Sequence, residues 1–378
     1  MRKVLFFVFV ALMVFAPMVM AQDATPEATP EGTAEAGLTP VSLVLKWVPQ
    51  AQFAGYYAAL DEGYYKDEGL DVTLIPAGTD INPEQLLAAG TVQFATDWMG
   101  SVLATREAGQ DVVTIAQIYQ RSGMRLISWK DTNITSFADL KNHIVGVWPG
   151  ANAFPADAAL TKEGIDPNNP DDVTMAQQAF DMNAFINKQI DAASAMTYNE
   201  LAQVLETTDS DGKLKFSMDD LNILDFNQEG TAMLEDGIFA NADWLAQAGN
   251  SEIAIKFLRA SFRGWIECRD NPDVCVNDVL QAGPTLGKGH QTWQMNEVNK
   301  LIWPSPNGIG IMDADAFATT AKIALDYKII SQPADPKDVY RNDLAQAALD
   351  SLQADYPNLD VKGTDWKAPT VAITPNGE

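Results

Sequence analysis

The residues of this sequence best suited to hold a small molecule are aromatic and amide side chains gathered just after predicted strands. Trp47, Gln50, Gln52, Phe53, Tyr56 and Tyr57 follow the first strand, Asp97 and Trp98 close a second such run, and Gln117, Tyr119 and Gln120 close a third. Further on, Trp148, Asn152 and Phe154 flank a strand-to-helix turn, Thr197, Tyr198 and Asn199 end a later strand, and Glu229 and Gly230 stand before the chain turns back. Ring faces supply stacking walls, and Gln and Asn donate and accept at once, so the set suits a flat ligand whose edges carry both donors and acceptors. A single Trp or Tyr is as often packing as contact; the signal is their recurrence at strand ends.

Covalent and metal chemistry is poorly supplied. His143 and His290 have no recognisable spacing to a nucleophile, and there is no Ser-His-Asp set, phosphate-cradling glycine loop or metal motif. Cys268 and Cys275 bracket a proline-containing turn after a helix that ends near Arg269. Two thiols without a nearby histidine are too few for zinc, whereas the chain can double back far enough to bridge them, so a structural disulfide is expected. That pairing fits an exported protein. No catalytic residue, metal or cofactor is expected.

Composition narrows the partners. The 378 residues carry 25 Lys+Arg against 51 Asp+Glu, a formal net charge of −26 with both histidines neutral. Nucleic-acid binding needs clustered cations to neutralise phosphates, and no basic patch stands apart, so that class is excluded. Hydrophobic residues make up 47% and charged residues 20%, enough to bury a large core, and the length suggests two domains. Residues 1–21 read as a signal peptide: Arg2 and Lys3 precede an apolar stretch that ends at Val19-Met20-Ala21. Residues 22–40 repeat Ala-Thr-Pro-Glu and hold one large apolar residue, Leu38, so they are expected to be a disordered tether.

From about Val41 the chain alternates strand and helix. Strands are expected at 41–47, 70–75, 93–96, 112–118, 126–129, 144–147, 173–176, 192–196 and 221–224, with helices at 55–67, 83–89, 98–108, 136–140, 154–163 and 181–189. Such alternation predicts parallel sheets flanked by helices, with ligands at the carboxyl ends of the strands. After Asn241 the pattern is mostly helical, with segments near 243–248, 252–269, 276–282, 292–301, 314–327 and 339–354.

The run Leu45-Lys-Trp-Val-Pro-Gln-Ala-Gln-Phe-Ala-Gly-Tyr-Tyr-Ala-Ala59, followed by Glu62-Gly-Tyr-Tyr-Lys-Asp-Glu-Gly-Leu-Asp-Val72, resembles the start of the thiamine-pyrimidine-synthase-like solute-binding proteins of ABC importers. Phe94–Trp98, Ala195–Glu200 and Gly230–Gly237 extend the resemblance over most of residues 41–330. It implies an α/β, two-lobed periplasmic-binding-protein architecture of the Venus-flytrap type, with a helical C-terminal part. Lobe 1 would span 41–130 and lobe 2 131–233, with 234–378 returning to lobe 1. The resemblance also implies a monomer that captures a small molecule outside the cytoplasm and hands it to a permease.

Relatives of this kind carry sulfonates, nitrate, pyrimidines or flavins. A sulfonate or nitrate needs donors or a cation aimed at its oxygens. Near the expected site the ionisable residues are Asp97 and Glu229, and the nearby cations are Arg121 and Arg125. A neutral heterocycle is therefore favoured, either a thiamine pyrimidine precursor or riboflavin, with an oxyanion as the alternative. Pyrimidine-binding relatives tend to have an imidazole where Phe53 stands, a departure that leaves room for a wider ring. An enzyme resembling the fungal pyrimidine synthases would need a reactive histidine and lysine in one cleft, and neither histidine falls there.

Overall fold

The computed structural model describes residues 37–79 and 81–378. The expected signal peptide, and the tether as far as residue 36, lie outside them. The tether's expected end is corrected, because Thr39 and Pro40 already pair with Leu70 and Asp71.

Chain order begins with β1 (Thr39–Leu45), α1 (Ala54–Asp61), α2 (Tyr64–Asp67), β2 (Leu70–Pro76), α3 (Pro83–Ala88), β3 (Phe94–Asp97), α4 (Met99–Glu107) and β4 (Val112–Gln117). Next come β5 (Met124–Trp129), β6 (Ile144–Val147), α5 (Phe154–Lys162), β7 (Thr174–Gln177), α6 (Asn183–Ile186), β8 (Ala192–Met196), α7 (Glu200–Leu205), β9 (Leu221–Asp225), α8 (Phe226–Glu229) and β10 (Gly237–Asn241). The remainder is helical: α9 (Ala242–Leu245), α10 (Asn250–Asp270), α11 (Pro272–Ala282), α12 (Lys288–Ile302), α13 (Ala314–Asp326), α14 (Pro336–Val339) and α15 (Asn342–Asp355). The single helix expected over 55–67 is two, because Gly63 adopts φ 76°, a left-handed conformation that ends one helix and starts another. The helix expected over 136–140 is a 3-10 turn, Phe137–Leu140, closed by a capping box between Ser136 and Asp139.

Two five-stranded sheets result, ordered β2-β1-β3-β10-β4 and β7-β6-β8-β5-β9. The expected all-parallel sheets are corrected. β10 runs antiparallel to β3 and β4, and β5 antiparallel to β8 and β9. Each is the strand by which the chain enters a sheet from the other lobe, so it starts at the cleft edge where its neighbours end. The same relation moves the expected lobe boundary: β5 lies in the second sheet, which puts the first crossing at residues 118–123 and not between 130 and 131.

The crossings are stitched together by one carboxylate. Glu235 accepts from Ser122 Oγ at 2.5 Å and from the amides of Gly123 at 2.9 Å and Met124 at 3.1 Å. Burial raises its pKa to about 7, against the pull of those donors. Behind the first sheet α1 lies against α10, and small residues set the spacing. A Cβ on Gly264 would lie 1.9 Å from the Gly55 carbonyl, and one on Gly55 would strike the Trp265 ring. The expected disulfide is present: Cys268 and Cys275, with Cα atoms 5.4 Å apart, join the end of α10 to α11.

Candidate functional site

β1, β3, β6 and β8 all end at one cleft of about 740 Å³ between the two sheets. On the first-lobe side it is lined by Lys46, Trp47, Gln50, Gln52, Glu84, Asp97 and Trp98; on the other by Trp148, Phe154, Phe180, Tyr198, Asn199 and Glu200. Parallel strands deliver these residues because each strand's last side chains point out of the sheet edge into the crevice between the lobes.

Of the residues expected from the sequence, Trp47, Gln52, Asp97, Trp98, Trp148, Tyr198 and Asn199 line this cleft. Phe53, Tyr56 and Tyr57 do not. They are 0%, 1% and 5% exposed, turned inward because the Gly55–Gly264 approach seats α1 on α10, and Tyr56 packs edge-on against Trp265. Gln117 and Tyr119 are corrected as well. Gln117 Nε2 donates to the Tyr119 and Glu235 carbonyls, tying β4 to the crossing, and the Tyr119 hydroxyl donates to the Gln52 carbonyl. Glu229 sits away from the cleft, paired with Lys162 at 2.7 Å.

The charge at the site also differs from expectation. Arg121 spends its guanidinium on the carbonyls of Lys300, Leu301, Trp303 and Pro304, and Arg125 pairs with Asp225 at 3.2 Å. Among the described lining residues the cation is Lys46, one residue past β1 and inside the Leu45–Ala59 motif. Its Nζ lies 2.5 Å from Asp97 Oδ1 and 4.8 Å from the centre of the Trp98 ring. Burial works against its charge, but Asp97, Glu84 and Asp236 outweigh that and raise its pKa.

Glu84 reaches the cleft from α3, where Asn82 caps the helix by accepting from the Gln85 amide and Pro83 opens it. Burial and the Asp97 carboxylate push the Glu84 carboxyl up to about 8. Asp236 stands behind the wall and orients it, accepting from Gln52 Nε2 and from Trp98 Nε1, both at 2.9 Å; burial raises it to about 6. Glu84 and Asp236 were missed in the sequence because no strand-end rule reaches a helix N-terminus or the second crossing. The alternation of β1 gave a signal for Lys46 that went unread.

Across the cleft, Trp47 meets Phe180 from the loop after β7, with ring centres 4.4 Å apart and planes tilted by 48°. Trp148 Nε1 donates to the Ala179 carbonyl at 3.3 Å, holding that loop. Gly100 of α4 allows the lobes to approach, since a Cβ there would come within 3.3 Å of Phe154. The arrangement is a set of aromatic walls around a polar floor in which one ammonium is already matched by carboxyl groups.

The family described as NMT1/THI5 like matches residues 50–274. A riboflavin-binding protein of Chloroflexus aurantiacus is 28% identical over 87% of this chain and 92% of its own length. A formylaminopyrimidine-binding protein of Halalkalibacterium halodurans is 24% identical over 64% of this chain and 70% of its own. A 4-amino-5-hydroxymethyl-2-methylpyrimidine phosphate synthase of Aspergillus parasiticus is 23% identical over 65% and 72%. Among solved structures, the periplasmic nitrate-binding protein of Synechocystis PCC 6803 superposes with a TM-score of 0.60 at 12% identity, covering 86% of this chain and 92% of that one. The periplasmic aliphatic sulphonate binding protein of Escherichia coli gives 0.58 at 14% identity, covering 79% and 91%. These likenesses establish the two-lobed periplasmic-binding-protein fold.

Proposed function

We propose that this chain, which belongs to the NMT1/THI5-like family, is the extracytoplasmic solute-binding protein of an ABC importer and captures a flat, uncharged, nitrogen-rich heterocycle. The observation that carries this reading is the Lys46–Asp97 pair on a floor between Trp47, Trp98, Trp148 and Tyr198. A buried ammonium could serve an oxyanion, but here it is matched at 2.5 Å by Asp97, with Glu84 and Asp236 close by. Bringing an anion in would set it against the Asp97 and Asp236 carboxylates in a poorly solvated space. A neutral ring system pays no such penalty and gains stacking on the indoles, with Gln52, Asp97 and Asn199 available at its edges.

Riboflavin is the first ligand to test, because the relative named for it aligns along nearly the whole chain. The pyrimidine precursor is the second. Catalysis is disfavoured by the same contact, since a lysine kept protonated offers no free amine for attack on a carbonyl. The protein would be an exported monomer that delivers its solute to a permease. No helix among the described residues is long and apolar enough to cross a membrane.

Calorimetric titration with riboflavin, the aminopyrimidine precursor of thiamine and an alkanesulfonate tests the reading. Binding of a heterocycle without response to the sulfonate is the expected result. Tight sulfonate binding with neither heterocycle bound overturns it.

A further inference from the structure

Helix α12, outside the segment the family match covers, touches both walls of the cleft. Toward the first lobe, the side chains of Gln291 and Gln294 accept from the Ala51 and Gln52 amides, and Gln294 donates on to Gln50. Toward the second, Trp293 Nε1 donates to the Thr197 carbonyl at 3.0 Å, and His290 sits between two oxygen groups.

His290 Nδ1 lies 2.8 and 3.0 Å from the two carboxylate oxygens of Glu206, and Nε2 lies 3.0 Å from Oδ1 of Asn199. The Asn199 orientation is set independently: its Nδ2 donates to Glu200 Oε1 at 2.8 Å, and its Oδ1 also accepts from Gln203. Both ring nitrogens therefore face acceptors, a pattern that only the doubly protonated imidazolium satisfies. A neutral ring leaves a lone pair opposite an oxygen. Turning the Asn199 amide over loses the contact from Gln203 and aims its oxygen at Glu200, which must then carry a proton.

We propose that His290 is a positioning residue for the ligand cleft: as an imidazolium it clamps Glu206 and Asn199, and so holds Asn199 and Glu200 on the second-lobe wall. The inference rests on the cleft being the ligand site, as proposed above. The charged groups near it are Glu200 from α7, Glu206 just past that helix and exposed Lys288 from its own helix, and a Cβ on neighbouring Gly289 would lie 2.7 Å from the Glu378 backbone oxygen. The last turn of the chain covers the pair, with the Asn376 amide donating to the Glu206 carbonyl at 2.8 Å. Glu206 is 6% exposed, so its charge has little solvent to replace the imidazolium.

Two measurements decide the matter. The chain has two histidines, so His143→Gln leaves one imidazole for ¹⁵N resonance spectroscopy without ligand. Both ring nitrogens should be protonated, and the Asn199 side-chain amide resonances should shift when His290→Gln is added. A neutral ring with the proton on Glu200, or an Asn199 amide indifferent to the substitution, overturns the proposal. Riboflavin affinity should fall about tenfold in His290→Gln. An equal affinity in the variant overturns it too. Absence of riboflavin binding in the parent protein would instead count against the proposed ligand, while the resonances still judge the clamp.

Discussion

The ammonium of Lys46 is bound by the carboxylate of Asp97 across 2.5 Å, and the same carboxylate accepts from the Trp98 amide at 2.6 Å. Asp97 thus neutralises the cleft's cation and fixes the backbone that carries a stacking ring. Replacing it with asparagine keeps an acceptor for the amide and removes the charge that occupies Lys46. In Asp97→Asn, affinity for the neutral heterocycle should drop about tenfold, and an alkanesulfonate should gain measurable binding. Calorimetry with both ligands reads the exchange; a variant that still ignores the sulfonate would show that Lys46 is silenced by something else.

Trp98 is 7% exposed, and its indole is fixed on one edge by Asp236 and covered by Lys46. Truncation removes a rigid stacking face, so Trp98→Ala should cost on the order of 2–4 kcal/mol of binding, about thirtyfold to a thousandfold in Kd. Tyr56→Phe, deep in the core beside Trp265, should leave Kd unchanged. Equal losses in the two variants would mean that the stacking wall is not where Trp98 stands.

Stability should fall as pH rises from about 5 to about 8. Burial raises Glu84 to about 8, Glu200 and Glu235 to about 7 and Asp236 to about 6. Each holds its proton more tightly folded than unfolded, so the stability it contributes is complete below the ordinary carboxyl range and is lost as pH climbs through the folded value. For Glu235 the loss is about 3 kcal/mol. The net charge of −26 pushes in the same direction through self-repulsion. Thermal melts across this range should show the highest Tm near the acidic end, and Glu235→Gln, which cannot ionise, should flatten part of the slope. A Tm that rises toward pH 8 contradicts the assignment.

The Cys268–Cys275 bridge closes a short loop at the junction of α10 and α11, beside the Arg269 guanidinium, which lies over the Trp303 ring at 4.6 Å. Restricting so short a loop in the unfolded chain contributes about 2–3 kcal/mol. Cys268→Ser paired with Cys275→Ser should lower the denaturation midpoint accordingly while leaving ligand affinity near that of the parent, because the bridge is remote from the cleft. Equal midpoints with and without the cysteines would assign the bridge no role in stability.

Local pattern was enough for much of this molecule. Short runs of apolar and small residues placed β6 and β8 at their observed bounds, and the rule that ligands gather at the carboxyl ends of parallel strands picked out Trp47, Trp98, Trp148, Tyr198 and Asn199. Both depend on information carried within a few residues: strand period, turn residues and strand direction. The two cysteines were legible for the same reason, being seven positions apart on either side of a turn.

What the tertiary structure decided was every relationship between distant segments. No local pattern says that β10 slots between β3 and β4, because that pairing joins residues more than a hundred positions apart. Tyr56 and Tyr57 read as site residues until the Gly55–Gly264 contact fixed how α1 is rotated, since a helix shows its neighbours only the face that packing selects. Lys46, Glu84 and Asp236 come from a strand end, a helix start and an interlobe crossing, and their charges acquire meaning only when folding brings them out of water and against one another. Sequence by itself determined the strand-end aromatics and amides that could stand at the cleft; the balance of charge inside it is a property of distances, and distances exist only once the chain has folded.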